Sequence, residues 1–193
     1  MSKQLTLRFE TALKYAFQLH KDQHRKQSQI PYVSHLLAVT AIVLENGGTE
    51  NQAIAALLHD AVEDQGGYDT LKEITERFGK EVAEIVEGCS DSFTDPKPDW
   101  KKRKSEYLIK IKESPDSTML VSLADKVHNA RSILKDLKSS QKDVWGKFKG
   151  GKDGTLWYYQ SLVEIFRNSS FSSLSAELQD LVAEIAALAE IRE

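Results

Sequence analysis

The stretch AIAALLHDAVED, residues 53–64, decides the fold and the site predicted for this chain. Its first half is a near-continuous apolar run, and its second half carries His59, Asp60, Glu63 and Asp64. Wound as one helix, these four side chains fall within an arc of about 140°, and apolar side chains cover the opposite side. Clustered acids repel one another unless a cation or hydrogen-bond donors compensate them. The pattern favours a helix with one buried face and one face that either holds a cation or is a solvated acidic surface.

The composition is that of one globular domain. The chain has 193 residues, of which 40% are hydrophobic and 28% charged, which is enough to bury a substantial core. A formal net charge of −3 gives no indication of nucleic-acid binding. The single cysteine, Cys89, excludes an internal disulfide framework, and its place after an apolar run favours a buried thiol. Because the N-terminus lacks the apolar core of a signal peptide and no window resembles a membrane span, we expect a cytoplasmic protein.

Helical periodicity extends along almost the whole chain, and strand-type alternation is hard to find. Glycine pairs at 47–48 and 66–67, Gly79 and Pro115 supply the stop signals between helices. The segment 139–154, rich in Lys, Gly and Ser, is predicted as a loop or linker. The predicted helices are 5–20, 32–45, 53–64, 69–78, 80–87, 100–113, 117–137, 155–167 and 175–191. We therefore expect an all-α protein with a single domain over residues 1–193.

Further metal-ligand candidates come from two other helices. His35 lies in an otherwise apolar helix, where a single histidine is more often a core residue than a ligand. Asp125 and Asn129 share one face of a helix, and an aspartate inside an apolar helix is costly unless it is paired or ligating. Together, His35, His59, Asp60 and Asp125 supply two imidazoles and two carboxylates from three helices. This mixed set suits a borderline divalent ion with open positions for water or phosphate.

The order His35, His59-Asp60, Asp125 resembles the motif of the HD superfamily of metal-dependent phosphohydrolases. The sequence further resembles the hydrolase domain of the RelA/SpoT enzymes and, more closely, the free-standing small alarmone hydrolases of the Mesh type. The pieces that carry this resemblance are Arg25-Lys26 with Ser28, PYVSH at 31–35, ALLHD and VED within 56–64, FGKEV at 78–82, LADKVHNAR at 123–131 and, more loosely, WYY at 157–159. The resemblance implies an HD-type helical bundle with the metal site between helices. Its motif-bearing region covers about 16–168, and the C-terminal helix about 175–191 follows.

The resemblance also implies an activity, which is manganese-dependent removal of the 3′-pyrophosphate from guanosine tetra- and pentaphosphate. The metal ligands would be His35, His59, Asp60 and Asp125. Glu63 and Asp64, one turn further on, would activate or orient the attacking water. The residues expected to bind the nucleotide are Arg25, Lys26, Ser28, Lys126, Asn129, Arg131 and Tyr158. The expected ligand is thus a small nucleotide, with no nucleic acid or membrane partner, and the sequence does not indicate an oligomeric state. Since no nucleotide-synthetase domain follows in this sequence, we expect that second activity of the family to be absent.

Three patterns have two interpretations each. The basic run 101–104 could be a nucleic-acid patch, but its acidic neighbours favour a solvated helix face. Four aromatic residues could stack on a base, although their helical spacing favours a core role with one ring facing guanine: Trp145, Trp157, Tyr158 and Tyr159. His128 could be a fifth ligand, but the set of four favours a place behind the ligands or on the surface.

Two other functions remain open from the sequence. An HD-type phosphatase acting on the 2′-phosphate of NADPH or on a 5′-mononucleotide would keep the same metal chemistry. A non-catalytic nucleotide sensor would need no water-activating group such as Glu63. The acidic pair beside Arg25 and Lys26 favours the alarmone hydrolase.

Overall fold

The computed structural model describes residues 4–93, 96–139 and 143–191. Over these ranges the chain forms ten α-helices and one 3₁₀ turn and contains no β-strand. The helices are α1 (Leu7–His20), α2 (Val33–Glu45), α3 (Glu50–Leu58), α4 (Ala61–Asp64), α5 (Gly67–Phe78), α6 (Lys80–Cys89), α7 (Trp100–Lys112), α8 (Asp116–Lys138), α9 (Gly151–Phe166) and α10 (Ser172–Ile191). The prediction of an all-α protein is therefore confirmed.

The predicted single helix over 53–64 is wrong in one respect, because the chain breaks it at His59 and Asp60. Helix α3 begins earlier than expected, at Glu50, where Thr49 and Gln52 form a reciprocal capping box. Helix α3 ends at Leu58. The ring Nδ1 of His59 lies 2.8 Å from the carbonyl oxygen of Ala56. In a continuous helix that oxygen would accept the backbone N–H of Asp60 instead. The break separates the histidine, at the end of α3, from the acidic pair on α4.

The predicted loop over 139–154 is also shorter than expected. A 3₁₀ turn at Trp145–Lys147 precedes α9, which begins at Gly151, while residues 140–142 of the segment lie outside the described residues. Residues 94–95 of the loop before α7 lie outside them as well. Gly150 packs directly on the Trp100 indole, and a Cβ there would lie 2.6 Å from the ring. This close approach sets α9 against α7.

Helix α8 is the central element of the core. It packs against α2, α3, α6 and α10, and Leu120, Leu123 and Val127 on it are fully buried. Each such side chain contributes on the order of 1.5–3 kcal/mol through burial. Helices held in this way present their inward polar side chains at fixed positions, which is what a metal site requires. Among the described residues, no helix is both long enough and apolar enough to cross a membrane.

Candidate metal centre

Four side chains from α2, the α3–α4 turn and α8 converge in the interior. The Nε2 atom of His35 lies 3.4 Å from Asp60 Oδ2 and 3.2 Å from Asp125 Oδ1. The Nε2 atom of His59 lies 3.1 Å and 3.6 Å from the same two oxygens. His35, His59 and Asp125 are buried and close enough together to share one ion, and Asp60 adds a fourth, partly exposed oxygen. The structure thus brings together the four residues that the sequence predicts as ligands.

The imidazoles are oriented as metal ligands require. The other ring nitrogen of His59 lies against the Ala56 carbonyl, and that of His35 lies 2.7 Å from Nδ1 of His128. This leaves both Nε2 atoms facing the carboxylates, buried, and without a hydrogen-bond partner among the described residues. A buried nitrogen in that state is costly unless something else satisfies it. The arrangement therefore fits a divalent cation, and His128 lies behind a ligand, as the sequence favoured.

The electrostatics of the cluster support the same conclusion. Burial lowers the pKa of His59, but the carboxylates of Asp60 and Asp125 outweigh burial and raise that pKa well above its usual value. The two carboxylates therefore favour positive charge at this position. A divalent ion would supply that charge, since imidazole binds metals in its neutral form.

Neighbouring side chains fix the orientation of both carboxylates. The Tyr32 hydroxyl donates to Asp60 Oδ2 over 2.6 Å. The Asn129 amide donates to Asp125 Oδ1 over 2.5 Å, and the Lys126 ammonium donates to Asp125 Oδ2 over 2.6 Å. Such support behind a ligand reduces its freedom and tunes its basicity. Asn129 and Lys126, predicted to bind the nucleotide, are therefore also tied to a metal ligand.

The acidic pair lies on α4, beyond the break. Glu63 Oε1 accepts the backbone N–H of Asp91 over 2.6 Å, and Asp64 Oδ2 accepts the side-chain amide of Gln23 over 2.9 Å. The Lys97 ammonium bridges the pair, 3.3 Å from Glu63 Oε2 and 3.4 Å from Asp64 Oδ1. Burial, followed by the nearby charges of Asp91 and Asp60, raises the pKa of Glu63 to about 7. A carboxyl group with that pKa can exchange a proton near neutral pH.

The basic loop after α1 lies beside the acidic pair, since it carries Gln23, the partner of Asp64. Arg25 donates to the Asn129 amide oxygen over 2.7 Å and lies over the Tyr32 ring, 5.6 Å from its centroid. The Ser28 hydroxyl donates to the Arg25 carbonyl over 3.0 Å, so its visible role is to shape the loop. Lys26 is exposed. The loop therefore holds the Arg25 guanidinium against Asn129, which also contacts Asp125.

Two other predicted nucleotide contacts lie in different settings. The guanidinium of Arg131 pairs with Glu177 of α10 over 2.7 Å, which ties α8 to α10. Tyr158 is buried, and its hydroxyl has no hydrogen-bond partner among the described residues. Of the four aromatic residues, Tyr158 and Tyr159 are buried and Trp145 and Trp157 are partly buried, in agreement with a mainly structural role.

Several residues of the site escaped prediction. Lys97 and Asp91 lie in the irregular segment before α7, where no periodicity marks them. His20, to which the sequence assigns no role, is buried and stacks on Tyr32 with ring centroids 5.3 Å apart. The expectation of a solvated face over 101–104 is correct for the first two residues. It is wrong for Arg103 and Lys104, which turn inward to the Asp91 carboxylate.

A cavity of about 560 Å³ adjoins the acidic pair. Glu63, Asp64 and Lys97 line one part of it, and the other part contains Tyr68 and Phe93, whose rings stack 5.0 Å apart. The cavity therefore adjoins the acidic pair, while the four candidate metal ligands are not among the described residues that line it.

Comparison with known proteins places this geometry among related sequences. The model of the HD domain family matches residues 12–156. A protein of Xenopus tropicalis named guanosine-3′,5′-bis(diphosphate) 3′-pyrophosphohydrolase MESH1 is 37% identical over 150 residues, which cover 76% of this chain and 78% of that protein. The Homo sapiens protein of the same name is 33% identical over 144 residues, covering 72% and 74%.

Two solved structures share the fold. One, described as a metazoan ortholog of SpoT that hydrolyses ppGpp, superposes with a TM-score of 0.77 at 26% identity and covers 95% of this chain and 98% of its own. The other is the lmo0812 protein of Listeria monocytogenes, with a TM-score of 0.68 at 30% identity and coverages of 82% and 99%.

Proposed function

The chain belongs to the HD domain family, and we propose that it is a metal-dependent hydrolase of guanosine tetra- and pentaphosphate. It would remove the 3′-pyrophosphate and release GDP or GTP. The observation that carries this proposal is the pair of unpartnered Nε2 atoms of His35 and His59, which face two carboxylates beside Glu63. The names of the relatives support the choice of substrate.

We propose manganese as the metal, held by His35, His59, Asp60 and Asp125. The family implies a divalent ion, and the mixed nitrogen and oxygen donors suit a borderline one. When bound, such an ion supplies Lewis-acid chemistry, through activation of water and polarisation of a phosphoryl group.

Glu63 is the proposed general base. Water attacks the phosphorus bonded to the ribose 3′ oxygen and forms a new P–O bond, and Glu63 accepts the proton that water loses. The bond between that phosphorus and the 3′ oxygen breaks, and the oxygen keeps the electron pair and takes up a proton. Asp64 shares Lys97 with Glu63 and would hold this ammonium beside the base.

Cations of the loop after α1 would hold the polyanionic substrate. We propose Arg25 and Lys26 for this role, with Asn129 as a hydrogen-bond donor and acceptor. Arginine offers planar paired donors that match phosphate oxygens, and lysine acts as a point charge. The roles of Ser28, Lys126, Arg131 and Tyr158 in nucleotide binding, the single domain over 1–193 and the cytoplasmic location stay predictions.

The test is an assay of purified protein, stripped of metal and then supplied with manganese. Guanosine tetraphosphate, NADPH and a panel of 5′-mononucleotides are offered, and products are separated by anion exchange. We expect GDP and pyrophosphate from the first substrate, dependent on added metal and lost in His59→Ala. Release of orthophosphate from NADPH or a mononucleotide, with guanosine tetraphosphate left intact, would instead establish the phosphatase alternative.

A further inference from the structure

His20, in the last turn of α1, is a buried side chain that the proposed mechanism does not use. Its Nδ1 lies 2.6 Å from Oε1 of Gln23, and its ring stacks on Tyr32. Its Nε2 has no hydrogen-bond partner among the described residues. Burial lowers the pKa of the ring below its ordinary value, so His20 is neutral at neutral pH. A neutral imidazole carries one proton, and the nitrogen that holds this proton decides which neighbour the ring can orient.

Gln23 connects this ring to the acidic pair. Its amide nitrogen donates to Asp64 Oδ2 over 2.9 Å, and a carboxylate only accepts hydrogen bonds, so the nitrogen and not the oxygen faces Asp64. The amide oxygen therefore faces the other way, where it accepts the side-chain amide of Gln65 over 2.8 Å and lies against His20 Nδ1. Because a carbonyl oxygen only accepts, the proton of His20 lies on Nδ1.

The proton on His20 holds Gln23 in one of its two amide orientations. Rotation of the amide by 180° would set its oxygen against the Asp64 carboxylate and its NH₂ group against the N–H of His20. The backbone of Gln23 is fixed as well, because its carbonyl accepts the Tyr32 N–H over 2.9 Å. Asp64 is in turn held on both oxygens, by Gln23 on Oδ2 and by Lys97 on Oδ1. The buried ring thus acts on the acidic pair through one intervening side chain.

We propose that His20 is a positioning residue for hydrolysis and acts through Gln23 on Asp64. The carboxylate held in this way keeps the Lys97 ammonium beside the proposed base, Glu63. This inference rests on the proposed function, because it needs the acidic pair to take part in the reaction. A group misplaced near the reacting atoms slows the chemical step more than it weakens substrate binding.

The first test determines the tautomer of His20 and needs no substrate. Long-range ¹⁵N–¹H correlation spectra of zinc-loaded protein, in which the ion is diamagnetic, distinguish a proton on Nδ1 from one on Nε2. The His20 signals are those that disappear in His20→Phe. We expect the proton on Nδ1 in the wild type and a mixture of tautomers in Gln23→Leu, which lacks the acceptor. A wild-type ring protonated on Nε2 overturns the inference, whichever nucleotide is the substrate.

Kinetics with guanosine tetraphosphate and manganese supply the second test. His20→Phe keeps a ring to stack on Tyr32 but cannot donate to Gln23, so we expect kcat to fall about tenfold with little change in KM. His20→Asn should recover most of kcat, because its side-chain amide can donate from nearly the position of Nδ1. Gln18→Leu alters an exposed glutamine of α1, is the matched control for Gln23→Leu, and should keep the wild-type kcat.

A double-mutant cycle shows whether His20 acts through Gln23. If it does, His20→Phe lowers kcat in the wild type but has no further effect in Gln23→Leu. Two independent losses that multiply would overturn the inference, and so would a fall in kcat that only accompanies a lowered melting temperature. If guanosine tetraphosphate is not hydrolysed while His20 carries its proton on Nδ1, the proposed substrate is wrong. The same cycle on the nucleotide that is turned over then decides the role of His20.

Discussion

Replacement of Glu63 by glutamine isolates the proposed base with little change to the structure. Glutamine keeps a carbonyl oxygen that can accept the Asp91 N–H, which now donates to Glu63 over 2.6 Å. Lys97 keeps its second partner, Asp64, at 3.4 Å. The side chain is isosteric, so we expect the helical spectrum and the manganese affinity to persist.

The expected loss of kcat in Glu63→Gln follows from the role and the environment of Glu63. General-base catalysis contributes about 10²–10⁴-fold, so kcat should fall by that factor while KM changes little. The pKa of Glu63 is raised to about 7, first by burial and then by Asp91 and Asp60. Because the base acts deprotonated, the wild-type rate should fall about tenfold per pH unit below this pKa. A bound cation would lower the pKa of Glu63, so the pH at which the rate begins to fall should lie at or below 7.

The assay is steady-state hydrolysis of guanosine tetraphosphate between pH 5 and 9 with manganese present. Glu84→Gln, which alters an exposed glutamate paired with Lys80 on α6, serves as the control and should leave the profile unchanged. The reasoning is refuted if Glu63→Gln keeps more than about a tenth of wild-type kcat, since a general base contributes more than that. A profile that bends only above pH 7 would also refute it.

Three further changes test the rest of the site. Asp125→Ala should abolish tight manganese binding and turnover while the far-UV spectrum stays helical; manganese binding followed by calorimetry at wild-type affinity would show that Asp125 is not a ligand. Arg25→Ala should raise KM about tenfold, and more strongly as salt is increased, because it removes a cation held on Asn129; a KM that stays constant across a salt series would contradict this. Arg131→Met should leave KM unchanged and cost at most about 1 kcal/mol of stability, since its guanidinium is paired with Glu177 at the surface; a raised KM in the same assay would restore Arg131 to the nucleotide site.

Two of the candidate metal ligands could be selected from the sequence because each is anomalous in its helix. His35 and Asp125 are polar groups among fully buried aliphatic neighbours, such as Leu36 and Ala124. Burial of such groups is costly, so the pattern itself indicates a use. Some helix boundaries agree within two residues, because glycine stops act locally: the predicted 32–45, 69–78 and 80–87 correspond to Val33–Glu45, Gly67–Phe78 and Lys80–Cys89.

The remaining features depend on contacts between distant segments. Lys97 contacts Glu63 from a loop 34 positions further along the chain, and no local sequence pattern predicts that contact. Arg103 and Lys104 read as part of a solvated basic run because their partner, Asp91, lies on another segment. The break at His59 was missed because a side chain, not a proline or glycine, takes over a helical carbonyl.

The hydrogen-bond chain from Arg25 through Asn129 to Asp125 would make the two halves of the proposed site thermodynamically dependent on each other. One amide contacts both the loop proposed to bind the nucleotide and the aspartate proposed to bind the ion, so filling either position would change the energy of the other. Linkage then requires reciprocity: whatever factor manganese adds to nucleotide affinity, the nucleotide must add to manganese affinity. Cellular nucleotide concentration would in that case help to determine how much of the enzyme carries its metal, and Asn129→Ala would uncouple the two equilibria.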